Sequence, residues 1–205
     1  EDWALYRSAF DRLIAADGDL RSGDRVVVAT ISSTTLTRFV PVADVTLADT
    51  GIALDDGDDA ELKRVELKAA IDKLEKELKD SPQSKALNTL IIDAAQLAGQ
   101  IFRNDTARTS RHFLLFSDML EESNDANFRL RPPSERASDD LIARLRKAGR
   151  IPDLTGVQVQ VVGARATSST TMLLVEGFWR KFFTETGAEV RPGNYSRASA
   201  TVRLQ

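Results

Sequence analysis

The 205-residue sequence predicts a single α/β domain, doubly wound, with a mostly parallel sheet and helices on both faces. Three observations lead to this fold class. Short β-branched runs alternate with amphipathic stretches of helical length, two of the runs are apolar on both faces, and no internal repeat interrupts the alternation. The length and the 42% hydrophobic content suit one compact domain over residues 1–205.

Charge and residue usage exclude several classes of protein. The 28 basic residues are outnumbered by 31 acidic ones, so the net charge of −3 gives no general attraction to nucleic acid or to anionic lipid. The absence of cysteine excludes disulfides, thiolate metal sites and cysteine nucleophiles. No run reaches the roughly 18 apolar residues of a membrane span, so we expect no membrane contact from these residues.

The first quarter of the sequence predicts one helix and two strands. Aromatic and aliphatic residues at three- and four-residue spacing predict a helix over 2–16. The β-branched run 25–31 is apolar on both faces, which is typical of a central parallel strand, and a second strand follows over 39–47. The acidic stretch 55–59 lacks the alternate ligand spacing and the distal glutamate of a calcium loop, so it predicts a solvated turn.

A helical insertion is predicted over about 55–80, with a highly charged helix from Ala60 to Lys79. Its apolar stripe is narrow and is interrupted by Lys73 and Glu77 at neighbouring turns. We therefore expect the helix to cover the sheet rather than to form a dimer seam. The residues of the stripe are Leu67, Ile71, Leu74 and Leu78.

The second half of the sequence continues the alternation of strands and helices. An apolar helix face from Leu87 to Ile101 precedes the run 112–118, a strand that is apolar on both faces and ends in a hydroxyl and a carboxylate. Four further elements follow a polar, proline-rich loop over 123–138. They are a helix over 139–148, a strand over 157–162, a helix over 170–186 and a final strand near 198–204.

Candidate functional residues come directly after predicted strands. Ligands of open α/β sheets bind outside the carboxyl ends of the strands, so the residues of interest are 32–34 after the first strand and Ser117 and Asp118 after the central one. Thr89, at the start of the apolar helix, is expected at the same edge. Carboxylate and hydroxyl oxygens are hard ligands that suit Mg²⁺, Ca²⁺ or Mn²⁺.

Two strings in this region resemble a known family. Residues 89–94 (TLIIDA) have the Thr-x-Ile-x-x-Ala form that von Willebrand factor A (VWA) domains show after their second metal-site loop. Residues 113–118 (FLLFSD) are similar to the family's strand that ends in the third-loop aspartate. The order of elements also fits across nearly the whole chain. The strings at 115–123 (LFSDMLEES) and 178–183 (FWRKFF) most resemble divergent bacterial VWA-like proteins.

The resemblance implies a protein-interaction module that grips an acidic residue of a protein partner through a divalent metal. The family's metal-ion-dependent adhesion site combines an Asp-x-Ser-x-Ser loop with a threonine and an aspartate, whose counterparts here are Thr89 and Asp118. The Asp-x-Ser-x-Ser loop is absent from this sequence. Asn88 and Met119 stand where the family has glycines beside the threonine and after the aspartate.

The family's strand order, 3-2-1-4-5-6, implies one more strand. The strand before the first helix would lie between runs 25–31 and 112–117, and the chain begins with that helix. We expect this strand to come from upstream sequence, a separate peptide or a neighbouring chain, because buried strands without hydrogen-bond partners are costly. The related bacterial proteins often carry an N-terminal hydrophobic anchor, which implies an extracytoplasmic location.

Each candidate residue also has a structural interpretation. Thr89 suits a helix cap, and Asp118 suits a turn after a strand. His112 is expected at the surface, without a serine and a carboxylate arranged as a triad. Two groups have ordinary roles: a core helix face of Phe178, Trp179, Phe182 and Phe183, and a basic helix end of Arg144, Arg146, Lys147 and Arg150, which the helix dipole favours.

Other functions remain as alternatives to the metal-assisted module. One is a metal-free VWA-like scaffold, and another is a metal-dependent hydrolase or phosphatase with Asp118 as its nucleophile. Leu120 stands where a haloacid-type phosphatase has its second aspartate. The glycine motifs of dinucleotide-binding domains and of P-loop enzymes are missing. We therefore predict no catalytic residues and no nucleic-acid partner.

Overall fold

The structure is a computed structural model that describes residues 3–15, 17–31, 36, 39–47, 56–80, 89–105, 110–196 and 204. Its elements are, in chain order, α1 (Trp3–Ile14), β1 (Arg25–Val28), β2 (Ala43–Thr46), α2 (Asp56–Asp80), α3 (Ile91–Asn104), β3 (Arg111–Phe116), α4 (Glu135–Lys147), β4 (Val157–Val162), α5 (Ser169–Glu185) and β5 (Tyr195–Ser196). They divide into two compact units: α1, β1, β2 and α2 form the first, and α3 to β5 form the second. The single-domain organisation of residues 1–205 stays a prediction.

The first unit contains a two-stranded antiparallel sheet. Residue Arg25 of β1 lies opposite Thr46 of β2, and Val28 lies opposite Ala43. The prediction that run 25–31 is a parallel strand was therefore wrong in orientation. A parallel pair needs a crossover, usually a helix, whereas the sequence between β1 and β2 has no helical apolar period, which favours an antiparallel return.

The long charged helix α2 packs within the first unit. Its residues Leu67 and Ile71 are buried, Leu74 is half-buried, and the helix contacts α1 and β2. These contacts support a helix that covers a sheet. The solvated turn predicted over 55–59 was wrong for residues 56–59, which begin α2, since aspartates are favoured in the first turn of a helix by its dipole. Residue 55 lies outside the described residues.

The second unit contains a parallel sheet in the order β3-β4-β5. Register runs from Arg111 opposite Val157 to Phe116 opposite Val162, and Val161 of β4 lies opposite Tyr195 of β5. The strand predicted over 157–162 is confirmed with these bounds. The last strand was predicted near 198–204 and is found earlier, at β5; residues 198–203 lie outside the described residues.

Serine caps determine where two helices of this unit begin. Helix α4 begins at Glu135, ahead of the predicted residue 139, because the Ser134 hydroxyl accepts a hydrogen bond from the Ala137 amide. The Ser168 hydroxyl accepts one from the Thr171 amide in the same way at the start of α5. Both helices were predicted from their apolar period, and both are confirmed.

The core of the second unit is built around aromatic side chains of α5. The expectation that they form core rather than a ligand platform is confirmed, because each is fully buried. Phe128, from the loop after β3, meets Phe178 edge-on at 4.8 Å between ring centroids. The indole Nε1 of Trp179 donates to the Met119 carbonyl at 2.8 Å, which ties the helix to that loop. The aromatic members on α5 are Phe178, Trp179, Phe182 and Phe183.

A parallel sheet with helices makes this a mixed α/β protein. The strands β1 and β3 belong to separate sheets and are not paired with each other. The additional strand expected beside them stays a prediction. None of the described helices combines the length and apolarity that a membrane crossing requires.

Candidate binding site at the carboxyl end of β3

The turn after β3 is shaped by its own side chains. The Ser117 hydroxyl accepts a hydrogen bond from the Met119 amide at 3.0 Å, and Asp118 Oδ1 accepts one from the Leu120 amide at 3.0 Å. Met119 adopts φ +65°, a left-handed conformation that costs a non-glycine residue about 1 kcal/mol or more. Complete burial of the Met119 side chain offsets this strain. Asp118 is thereby held at the end of the strand.

An ion-paired arginine lies across this turn. Arg129 donates from Nε to Glu122 Oε1 at 2.7 Å and from a terminal nitrogen to Asp118 Oδ2 at 3.2 Å. The hydrogen bond to Glu122 raises the pKa of Arg129 above its usual value, and Asp118 adds to this effect. The Asp118 side chain is 25% exposed and that of Arg129 is 51% exposed. The three charges are therefore accessible from solvent.

Thr89 lies at the same edge through its backbone. Its carbonyl accepts a hydrogen bond from the Glu122 amide at 2.9 Å. Thr89 therefore contacts the loop after β3, which also carries Asp118. Thr89 is not the cap of α3, because the cap position is Leu90 and no side chain of that residue caps the helix. We call Thr89, residues 117–122, residues 129–131 and Arg165 the rim; the Arg165 amide donates to the Asp118 carbonyl at 3.1 Å. Residues 32–34, predicted at the same edge, lie outside the described residues.

The cap of α3 comes instead from Glu121. This residue is fully buried, and its Oε2 accepts hydrogen bonds from the amides of Ile91 at 2.7 Å and Ile92 at 3.2 Å. Its Oε1 is buried without a partner in hydrogen-bond geometry, although the nearby Ser123 hydroxyl favours the charged form. Burial raises the pKa of Glu121 to about 7. The sequence pattern does not reveal this cap, because 30 residues separate Glu121 from Ile91.

A second arginine, Arg150, links α3 to the loop that carries part of the rim. Arg150 forms ion pairs with Asp93 of α3 and with Asp125 of the loop after β3, and its Nε donates to Gln96 at 3.3 Å. Burial raises the pKa of Asp93, against the charge of Arg150. The sequence predicted only a basic helix end here. In the structure Arg150 joins α3 to the loop that carries Glu121 and Glu122.

His112 lies at the other end of β3 from Asp118. It is partly exposed, and its Nε2 is 2.8 Å from the Ser110 hydroxyl. The alternation of side chains along an extended segment brings these two residues, two positions apart, to one face. The expectation for His112 concerned a triad of serine, histidine and carboxylate, and this contact with Ser110 alone does not form one. The position of His112 at the amino end of β3 separates this pair from the rim.

A charged groove of about 510 Å³ lies between α4 and α5. Its lysine and arginines are already paired with acidic side chains: Lys181 with Asp139 at 2.7 Å, Arg180 with Glu176 at 2.8 Å, and Arg146 with Glu185. Such exposed pairs are typical of a solvated interhelical surface.

The rim side chains do not fit a divalent cation in this arrangement. Asp118 uses one oxygen for the Leu120 amide and the other for Arg129, and the Ser117 hydroxyl is buried. A guanidinium beside Asp118 would repel a second cation. Within the residues that the structure describes, no three acidic, histidine or cysteine side chains are grouped as a metal site. Binding of Mg²⁺, Ca²⁺ or Mn²⁺ by Thr89 and Asp118 stays a prediction.

Comparison with protein-family models, curated proteins and solved structures finds no match to this chain. The fold and the rim therefore carry the inference of function.

Proposed function

We propose that this chain is a VWA-like protein-interaction module that contacts its partner through the rim. The parallel order β3-β4-β5 supports the VWA-like part, since it fits strands 4-5-6 of the order 3-2-1-4-5-6. Met119 adds support, since its positive φ occurs where the family carries a glycine.

The strained turn after β3 is the observation that carries the binding role. Backbone strain of this kind persists where the surroundings overdetermine it, and it concentrates at functional sites. Here it holds Asp118 beside Arg129 at the surface. Leu130 is the next residue and is 83% exposed, on a turn anchored by Asn127, whose side-chain oxygen accepts from the Leu130 amide at 3.0 Å. The rim thus offers an anchored apolar side chain among charges.

A hydrolase or phosphatase is less well supported by the same geometry. A nucleophilic carboxylate needs an oxygen directed at the substrate, whereas each oxygen of Asp118 already accepts a hydrogen bond, one from the Leu120 amide and one from Arg129. Leu120, at the position of a second aspartate, is 5% exposed and packs in the core. We therefore propose binding rather than catalysis.

Capture of the partner tests the proposal with two matched leucine variants. The purified chain is immobilised and exposed to an extract of its source organism, and recovered proteins are quantified by mass spectrometry. Leu130→Asp should reduce recovery of the specific partner about tenfold, a typical effect for a central contact residue. Leu62→Asp is the control, because Leu62 is 62% exposed on α2, in the other unit. Equal recovery by both variants would contradict the proposal.

A further inference from the structure

The rim already contains a cation of its own. Asp118 and Glu122 lie on the loop that follows β3, and Arg129 contacts both through different nitrogens, at 3.2 and 2.7 Å. Guanidinium presents five donors in a plane, so it can hold two carboxylates and still have donors for a third. A guanidinium group stays charged at any physiological pH.

The chemistry of this arrangement differs from that of a bound metal ion. A divalent cation needs several oxygen ligands around it, and carboxylates supply both ligands and charge. Arg129 bridges Asp118 and Glu122 and offsets one of their two negative charges without water or further oxygens, and it is part of the chain. It therefore competes directly with a metal for the same two carboxylates.

We propose that Arg129 takes the place of a divalent cation at the rim, so that the rim binds without metal. The partner group that it suits is a carboxylate, a statement that rests on the proposed function. The rim carries three acidic side chains, of Asp118, Glu121 and Glu122, and three arginines, Arg129, Arg131 and Arg165. The arginines are exposed, whereas Glu121 is buried and the other two carboxylates are partly exposed. The exposed guanidinium groups complement an acidic side chain, and half of the Arg129 side chain is open to it.

Thermal unfolding with and without Mn²⁺ tests the substitution of arginine for metal, and it needs no partner. The wild-type chain should keep the same Tm in EDTA and in 5 mM Mn²⁺. Arg129→Gln leaves the negative charges of Asp118 and Glu122 without a positive partner. The Tm of this variant should therefore rise by roughly 3 °C when Mn²⁺ binds the two carboxylates. Asp118→Asn in the Arg129→Gln background should abolish that rise. A Mn²⁺ response of the wild type that equals or exceeds that of Arg129→Gln would overturn the proposal.

A direct measurement covers the case in which Arg129→Gln does not fold. Free Mn²⁺ is followed by electron paramagnetic resonance during titration of the wild-type chain. The proposal predicts no stoichiometric binding in the millimolar range. One bound Mn²⁺ per chain that is lost in Asp118→Asn would overturn it, and would leave a metal-assisted interaction module standing. Failure of partner capture at Leu130, in contrast, bears only on the proposed function.

Discussion

At the scale of single residues, the rim depends on side chains that hold backbone in unusual states. Met119 is placed at positive φ by the hydrogen bond to Ser117 and by its own burial. Glu121 is placed in the core by the two amides that it caps. The positive φ of Met119 and the burial of the Glu121 carboxyl are each unfavourable, and the contacts of both residues fix the conformation of the loop. A testable prediction follows from each.

The strain at Met119 predicts an unusual order of stability for two truncations. Met119→Ala and Met119→Gly both remove the buried side chain beyond Cβ, and they differ from each other by one methyl group. Glycine tolerates φ +65° without penalty, whereas alanine does not, so Met119→Gly should be the more stable variant by about 1 kcal/mol. Urea unfolding of both proteins measures the difference. If Met119→Ala is at least as stable, the turn carries no strain.

The buried carboxyl of Glu121 predicts a pH-dependent stability. Its folded pKa of about 7 lies above the ordinary 4.5, so its contribution is complete below pH 4.5 and is lost as the pH rises through about 7. Asp93 is the charged neighbour that adds to the shift. Glu121→Gln cannot ionise, so its stability relative to wild type should increase between pH 5 and pH 8, by up to about 3 kcal/mol.

Urea unfolding of wild type and Glu121→Gln at both pH values makes this comparison. Titrating groups that do not interact with residue 121 act on the two proteins alike and cancel in the difference. If the difference in free energy of unfolding between the two proteins does not change with pH, the pKa of Glu121 is not raised by burial.

At the scale of elements, Arg150 links α3 to the loop after β3. Its ion pairs reach Asp93, whose side chain is 16% exposed, and Asp125. Removing one partner of a mostly buried pair leaves an uncompensated charge, which costs more than losing a surface pair. Arg150, which is not itself part of the rim, therefore helps to fix the position of the loop that carries it.

This linkage predicts different costs for two arginine truncations. Arg150→Ala should destabilise the protein by about 2 kcal/mol and raise the pKa of Asp93 further, because the Arg150 charge lowers it in the wild type. Arg146→Ala, which loses an exposed pair with Glu185, should cost under about 1 kcal/mol. Thermal unfolding of the two variants provides the test. Equal costs would mean that Arg150 forms only a surface contact.

At the scale of the whole molecule, the sequence predicts elements better than it predicts how they pair. Helix α5 and strand β4 follow from apolar period alone, since burial of one face imposes it. The antiparallel pairing of β1 does not follow, because a run apolar on both faces suits either orientation. The candidate site could likewise be predicted only in part. Asp118 was predicted from its place after a strand, whereas the roles of Arg129 and of the Glu121 cap depend on tertiary contacts.

The rim is proposed as a surface for a protein partner. The most direct measurement is photo-crosslinking in living cells, with a photoreactive amino acid in place of Leu130 or, as control, of Leu62. A discrete protein adduct is expected from position 130; it should be absent from position 62 and should persist when divalent metal is chelated. Indistinguishable adduct patterns from the two positions, or no adduct from position 130, would contradict the proposal.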